Sequence, residues 1–170
     1  MIEDIIAQSH LIVDGMTFES GSIALSALRT LDENQPHGGP FSRLIGIKYL
    51  TIGDGKCKAS LQVRQHLLNP LGIAHGGATF ALADSTCGGA ALSAMGAPAF
   101  VTQDLQIRYH GPAQMGEIVA EAEVVHLGKR TITVQCHITQ NETLIASVTG
   151  TFAILSDQEV GEIKPPNSKD

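Results

Sequence analysis

The segment GGATFALADSTCGGAALSAM, Gly76–Met95, interrupts a strand-like pattern that runs through much of the chain. It is too long for a strand, and half of its residues are glycine or alanine, so we predict that it forms one long helix. Gly88 and Gly89 inside it each cost a helix about 1 kcal/mol relative to alanine. Tertiary packing must therefore outweigh intrinsic propensity, and the small side chains allow a curved sheet to close tightly around the helix.

The sequence on both sides of this helix alternates between polar and apolar residues, as half-buried strands do. The alternation is strict from Cys57 to Arg64. It recurs in four later segments: Leu105–Tyr109, Ile118–Val124, Ile132–Ile138 and Leu144–Phe152. We predict a strand pair over about residues 44–53 and 56–65, followed after the helix by four strands with short turns. The predicted fold class is α+β, an antiparallel sheet wrapped around one long central helix.

The two ends of the chain differ from this central part. Residues 1–39 carry short helical patterns separated by glycines and predict an N-terminal helical arm. Residues 40–155 hold the long helix and the strands and form the main domain. Residues 156–170 contain two adjacent prolines and end in charge, which predicts a flexible C-terminal tail. Acidic residues near the start stand where a secretory signal would be basic, so we expect a cytoplasmic location.

The composition argues against several classes of function. The 170 residues are 43% hydrophobic and 16% charged, which is typical of a folded globular domain, and no apolar run approaches the ~18 residues that a membrane span needs. A net charge of −6 disfavours nucleic acid as a partner. The three cysteines fit neither a disulfide framework nor a zinc cluster, and no HExxH motif occurs, so we expect free thiols and no metal.

A polar cluster precedes and enters the helix, from Asn69 to Asp84. His75-Gly76-Gly77 stands where the helix begins, and the first N–H groups of a helix lack internal partners and carry the positive end of its dipole. A carbonyl oxygen or an oxyanion can bind there, because glycine has no Cβ to obstruct its approach. Asp84 stands among small apolar residues, where a carboxylate is costly to bury unless something pairs with it or uses it. A plain turn at the two glycines and an ordinary hydrogen-bonded Asp84 are the alternatives.

The spacing of Gly76 and Asp84 limits how they can cooperate. Eight residues of helix separate them by about 12 Å along the axis. They cannot both touch one carbonyl carbon from the same chain. If both act on one bond, the site must combine Gly76 of one subunit with Asp84 of another, which predicts a symmetric dimer with two shared sites.

A series of short motifs stands at characteristic spacings: Asn69, His75-Gly76-Gly77, Leu82-Ala83-Asp84, Gly96-Ala97-Pro98, Val101-Thr102, Arg108–Ala113 and Gly128-Lys129-Arg130. With these motifs the segment from about Phe41 to Leu155 resembles the hotdog-fold acyl-CoA thioesterases, in particular the branch of the phenylacetate-pathway and human mitochondrial-associated thioesterases. The resemblance implies a hotdog fold, and it implies a hydrolase that splits an acyl-CoA thioester into a free carboxylic acid and coenzyme A. Residues 1–39 lie outside it.

Carried over position by position, the resemblance implies roles for five residues. Asp84 is the catalytic carboxylate, either a general base on water or a nucleophile that forms a mixed anhydride. The Gly76 N–H polarises the thioester carbonyl and holds the oxyanion, and His75 helps to orient the thioester. Asn69 positions the attacking water or the carboxylate, and Thr102 hydrogen-bonds the water from the next strand. A helix cap for His75, a turn for Asn69 and a plain strand position for Thr102 are the structural alternatives.

The resemblance also implies where the substrate binds and how the chain assembles. Gly77, and Lys129 and Arg130 beside Gly128, are assigned to substrate and coenzyme A binding, because the phosphates of coenzyme A need cations. Arg64 and Arg108 are further candidate cations. No separate cofactor is expected, since coenzyme A is part of the substrate. The expected assembly is a homodimer, extended by resemblance to a dimer of dimers, a homotetramer.

Two other classes of function are possible on this fold. A non-catalytic acyl-CoA sensor or carrier would keep the pocket and the cations but need no carboxylate in the site, so Asp84 disfavours it. A hydratase would need a different arrangement of His and acid. The sequence leaves the acyl group open, with Leu71, Phe80 and Met95 as candidate pocket residues.

Overall fold

The computed structural model describes residues 39–95, 99–156 and 159–160. Its elements follow in chain order: α1 (Pro40–Ile45), β1 (Ile47–Gly53), β2 (Lys56–Val63), a 3-10 turn (Gln65–Leu67), α2 (Gly76–Met95), β3 (Phe100–Tyr109), β4 (Gly116–Leu127), β5 (Thr131–Gln140) and β6 (Thr143–Ile154). The predicted long helix is confirmed with the same limits. The predicted N-terminal arm and most of the predicted C-terminal tail lie outside the described residues.

The six strands form one antiparallel sheet in the order β1-β2-β4-β5-β6-β3. β1 and β3 are therefore its two edges within the described part of the chain. Helix α2 packs across β2, β4 and β5 in the middle of the sheet. The predicted α+β class, a sheet wrapped around one long helix, is confirmed.

The core lies between α2 and the inner face of the sheet. Alternate residues of the central strands are buried there, as the pattern over Ile132–Ile138 illustrates. The helix contributes mostly small buried side chains, namely Thr79, Leu82, Ala83, Thr86, Cys87, Gly89, Ala90 and Ala91. Small residues bring the helix close to the strands, which explains how a protein with 4% aromatic residues fills its core.

The three cysteines are free and buried. Burial raises the pKa of the Cys57 thiol to about 12. A hydrogen bond with Cys136 and burial raise the pKa of Cys87 above its usual range. The expectation that these residues are free thiols that act as small apolar side chains is confirmed.

The chain before the first strand differs from the prediction. Residues 44 and 45 belong to α1 rather than to a strand, and β1 begins at Ile47. Pro40 opens α1, and Gly46 ends it with a φ of 86°, a left-handed conformation that glycine adopts without strain. The Ser42 and Ser85 hydroxyls lie 3.1 Å apart and join α1 to α2. No helix in the described residues is long and apolar enough to cross a membrane.

The two adjacent glycines of α2 have different environments. A Cβ on Gly89 would lie 2.6 Å from the Cys57 Sγ, whereas the nearest atom to a Cβ on Gly88 is 4.0 Å away, on Phe100. Close approach of α2 to β2 therefore requires glycine at residue 89. Nothing in the contacts of Gly88 requires it.

This difference predicts opposite effects of the same substitution. Gly89→Ala should lower the free energy of unfolding by about 1–3 kcal/mol, because the added methyl group overpacks the helix against β2. Gly88→Ala is the matched control and should be neutral or stabilising by up to about 1 kcal/mol through helix propensity. Urea unfolding of the two variants measures both effects. Equal stabilities would show that the helix does not need this close approach.

Candidate active site

The loop before α2 is shaped by Asn69. Its side-chain Oδ1 accepts hydrogen bonds from the backbone N–H groups of Leu71, at 2.9 Å, and Ile73, at 3.4 Å. Its backbone N–H donates to the Ile73 carbonyl at 2.8 Å, and its carbonyl accepts from the Gly72 N–H at 3.0 Å. These bonds make Asn69 the centre of a tight turn, as its place before a proline suggests. Because Oδ1 serves the loop, the amide Nδ2 group is the part of the side chain that can serve a ligand.

His75 caps the N-terminus of α2. Its Nδ1 accepts the Gly77 N–H at 2.9 Å. Its carbonyl accepts the N–H groups of Ala78 and Thr79, and its own N–H donates to the Leu67 carbonyl at 2.8 Å. An accepting Nδ1 puts the ring proton of a neutral imidazole on Nε2. In this single ring orientation, His75 both caps the helix through Nδ1 and exposes an Nε2–H donor.

The His75 cap satisfies the first backbone N–H groups of α2 except that of Gly76. The N–H groups of Gly77, Ala78 and Thr79 all bond to His75. Within the described residues, the Gly76 N–H has no such acceptor. It stands at the positive end of the helix dipole, where an oxyanion is stabilised. A Cβ on Gly77 would lie 3.0 Å from the His75 Nδ1, so a side chain at residue 77 would press against the cap.

Tyr109, for which the sequence predicted no role in the site, contacts this turn. Its hydroxyl donates to the Gly76 carbonyl at 2.7 Å. A Cβ on Gly76 would lie 3.2 Å from that hydroxyl oxygen, so a larger residue there would have to displace the hydroxyl by a few tenths of an ångström. Burial raises the pKa of Tyr109 above its usual value of 10.0, which keeps the hydroxyl a donor at neutral pH. The sequence offered one signal for this contact, which was a tyrosine at the end of the predicted strand Leu105–Tyr109.

A cleft of about 420 Å³ opens beside the start of α2. Its wall continues into the β3–β4 connection, which the Ala74 N–H fastens to the loop by a 2.8 Å bond to the Ala113 carbonyl. Leu71, Phe80 and Met95 do not line this cleft. The lining residues are Asn69, Ile73, Ala74, Gly76, Thr79, Tyr109, His110, Gly111, Pro112, Ala113 and Ile145.

Asp84 and Thr102 form a second group, away from this cleft. Asp84 is half-buried on α2, and its Oδ1 accepts the Thr102 hydroxyl at 2.9 Å. Gly76 and Asp84 lie on the same unbroken helix, so about 12 Å separates them along its axis. One chain therefore brings Asn69, His75 and Gly76 together and keeps Asp84 apart from them.

The basic turn 128–130 lies nearer the Asp84 group than the Gly76 group. The Arg130 carbonyl accepts the Ile154 N–H at 2.9 Å, and Ile154 pairs with Phe100, two residues before Thr102 on β3. Tyr109, at the other end of β3, is about 23 Å from Thr102 along the strand. Both cations of the turn are exposed. Among the described residues, no three His, Cys, Asp or Glu side chains are grouped to hold a metal ion.

Comparison with known proteins identifies the family. A family model described as Thioesterase superfamily matches residues 71–146, which include α2, β3, β4 and β5. The 1,4-dihydroxy-2-naphthoyl-CoA hydrolase of Listeria monocytogenes is 30% identical over 112 residues, which are 65% of this chain and 91% of that protein. The chain belongs to the thioesterase superfamily. It has the hotdog fold of that superfamily and is a thioester hydrolase.

Other proteins support this assignment. Acyl-coenzyme A thioesterase 13 of Homo sapiens is 34% identical over 106 residues, 61% of this chain and 75% of that protein. The structure of a conserved protein of Pseudomonas aeruginosa, PA5202, is 36% identical with a TM-score of 0.68, and the match covers 69% of this chain and 95% of that one. A variant of the phenylacetic acid degradation protein PaaI of Thermus thermophilus is 31% identical with a TM-score of 0.65, over 69% of this chain and 100% of that one.

The loop bonds predict how thioesterase variants at Asn69 behave. Asn69→Ala should lower the free energy of unfolding by about 1–2 kcal/mol, because two backbone N–H groups lose their acceptor. Asn69→Asp retains an acceptor oxygen and should stay within about 0.5 kcal/mol of wild type. Urea unfolding measures both. If the alanine variant is as stable as wild type, the loop does not depend on this side chain.

Proposed function

We propose that this thioester hydrolase is an acyl-CoA thioesterase whose active sites each combine Gly76 of one subunit with Asp84 of another. The Gly76 N–H beside the cleft, which has no acceptor among the described residues, carries the proposal. It offers a fixed donor for a thioester carbonyl, while the carboxylate that must act on the same carbon lies about 12 Å away on the same rigid helix. A twofold dimer would form two complete sites, because Gly76 of each subunit would face Asp84 of the other.

The Gly76 N–H is the proposed oxyanion donor. As the carbonyl carbon is attacked, its double-bond electrons move onto oxygen, and the developing charge meets the N–H and the positive end of α2. Loss of one such donor costs about 3–4 kcal/mol of barrier in other enzymes. Because only the backbone N–H acts, a side chain at residue 76 affects the reaction through sterics.

Asp84 supplies the reactive carboxylate in either of two routes. As a general base it takes a proton from water while the water oxygen bonds to the carbonyl carbon, the C–S bond breaks, and coenzyme A leaves as a thiolate that is then protonated. As a nucleophile it displaces that thiolate and forms a mixed anhydride, which water hydrolyses. The Thr102 hydroxyl engages Oδ1 and holds the carboxylate, which leaves Oδ2 for either reaction.

His75 and Asn69 would act as donors from the Gly76 side of the site. The His75 Nδ1 is engaged by Gly77, so the ring meets the thioester through Nε2–H. The Asn69 Oδ1 is engaged by the loop, so its amide Nδ2 positions the water or the carboxylate. The donor atom proposed for each role is the one that the local hydrogen bonds leave unused.

The edge strand β3 is where we place the dimer contact. It carries Thr102 and Tyr109, which touch Asp84 and Gly76 respectively. Val101 is 46% exposed and Tyr109 51% exposed on this strand, and a second subunit that paired with the edge would cover part of this apolar surface. We also propose that two dimers associate into a homotetramer and that the enzyme is cytoplasmic. No metal or separate organic cofactor takes part in either route.

The composite site predicts complementation between two inactive variants. Asp84→Ala removes the carboxylate, and Gly76→Pro removes the N–H and adds a ring, at a first helical position that tolerates proline. Each variant alone should release free thiol from acyl-CoA at least about 100-fold more slowly than wild type. In hybrid dimers one of the two sites recovers both groups, so a statistical mixture should regain about a quarter of wild-type activity.

Three controls make this test decisive. Gly76→Ala adds a Cβ but keeps the N–H and should lose less activity than Gly76→Pro. Differently tagged chains verify that hybrids form, and hybrids without activity would contradict the shared site. A wild type that binds acyl-CoA but hydrolyses none of an aromatic and aliphatic panel would instead be a sensor or carrier.

The basic turn 128–130 predicts a salt-dependent effect on substrate binding. Replacing Lys129 and Arg130 together with alanine should raise KM for acyl-CoA about tenfold at low salt and less at 0.5 M salt, with little change in kcat, because exposed cations attract the phosphates through a screened field. Lys58→Ala is the control, since Lys58 is engaged by Glu121 at 2.7 Å on the outer face. An unchanged KM would show that Lys129 and Arg130 do not bind the substrate.

A further inference from the structure

The backbone at the start of α2 is intrinsically flexible, yet the proposed oxyanion donor there must be held in a precise position. Gly76 and Gly77 are successive glycines, the residues that lose most conformational freedom on folding. A backbone oxyanion donor works only if it is fixed before the reaction, within a few tenths of an ångström of its working position. The peptide that joins the two glycines must therefore be held by groups outside the glycines themselves.

That peptide is held at both ends. Its N–H, from Gly77, donates to the His75 Nδ1 at 2.9 Å. Its carbonyl, from Gly76, accepts the Tyr109 hydroxyl at 2.7 Å. The first of these bonds spans two residues of the same turn, whereas the second reaches the turn from the sheet.

The base of Tyr109 is itself anchored to the sheet. Tyr109 pairs with Ala146 at the end of β3, and the next residue, His110, donates its N–H to the Ile145 carbonyl at 2.8 Å. Through Tyr109, the start of α2 is therefore held in a fixed position relative to β3 and β6. A phenol ring has only two rotatable side-chain bonds, so little freedom is lost in making this link.

We propose that Tyr109 is a positioning residue of the thioesterase: its hydroxyl fixes the Gly76–Gly77 peptide and so aims the neighbouring Gly76 N–H at the substrate carbonyl. This inference rests on the proposed function of Gly76. Tyr109 and Gly76 are in close contact, since a Cβ on residue 76 would lie 3.2 Å from the hydroxyl and 3.4 Å from the ring.

The test is Tyr109→Phe, which removes the hydroxyl and keeps the ring. In steady-state hydrolysis of an acyl-CoA, kcat should fall about three- to tenfold while KM changes less than about twofold. Ser93→Ala is the matched control, because the Ser93 hydroxyl also donates to a backbone carbonyl of α2, that of Ala90 at 2.9 Å, at the far end of the helix. Its kcat should equal that of wild type.

A second measurement does not depend on catalysis. In the ¹⁵N-labelled protein, hydrogen exchange at the Gly77 amide should be about three- to tenfold faster in Tyr109→Phe than in wild type and unchanged in Ser93→Ala. An unchanged kcat, a raised KM at constant kcat, or a lower kcat without faster exchange would each overturn the proposal. If the wild type hydrolyses no thioester, the proposed function fails on its own, and exchange alone then decides whether Tyr109 holds this peptide.

Discussion

The stiffness of α2 is the constraint from which the rest of the site follows. A helix packed along its length against a sheet does not bend enough to bring residues eight positions apart onto one atom. Gly76 and Asp84 are therefore held at a fixed separation, and in the proposed mechanism each serves only half of a thioester cleavage. The close packing that gives this stiffness depends on Gly89, where α2 approaches Cys57 too closely for any side chain.

Strand β3 supports both halves of the site. Near its start the Thr102 hydroxyl holds the Asp84 carboxylate, and at its end the Tyr109 hydroxyl holds the Gly76 carbonyl. It is also an edge of the described sheet, paired only with β6. A strand that pairs on one side alone is less constrained than a central one. A partner that covered this edge would stabilise the contacts to Asp84 and Gly76 at once, so the proposed dimer would couple assembly to local order at the site.

Much of the fold could be predicted from the sequence because burial on one face imposes alternation on each strand, and α2 was too long and too rich in small residues to continue that pattern. The start of β1 was predicted wrongly because α1 has six residues, too few to show a helical period. The position of Gly76 at the start of a helix was predicted, and its role as an oxyanion donor stays a prediction. The contact with Tyr109 was not predicted, because 33 residues separate the pair and only the tertiary fold brings them together.

The proposed shared site fixes the place of the dimer axis on α2. If Gly76 of each subunit faces Asp84 of the other, the two helices lie antiparallel across a twofold axis, and equivalent residues near that axis contact each other. The midpoint of the two positions is Phe80, four residues from each and on the same side of the helix. Phe80 is 37% exposed in the single chain, although it lies on the helix that fills the core. An apolar ring at that point would be covered by its own copy, and its burial would draw the two reactive halves together.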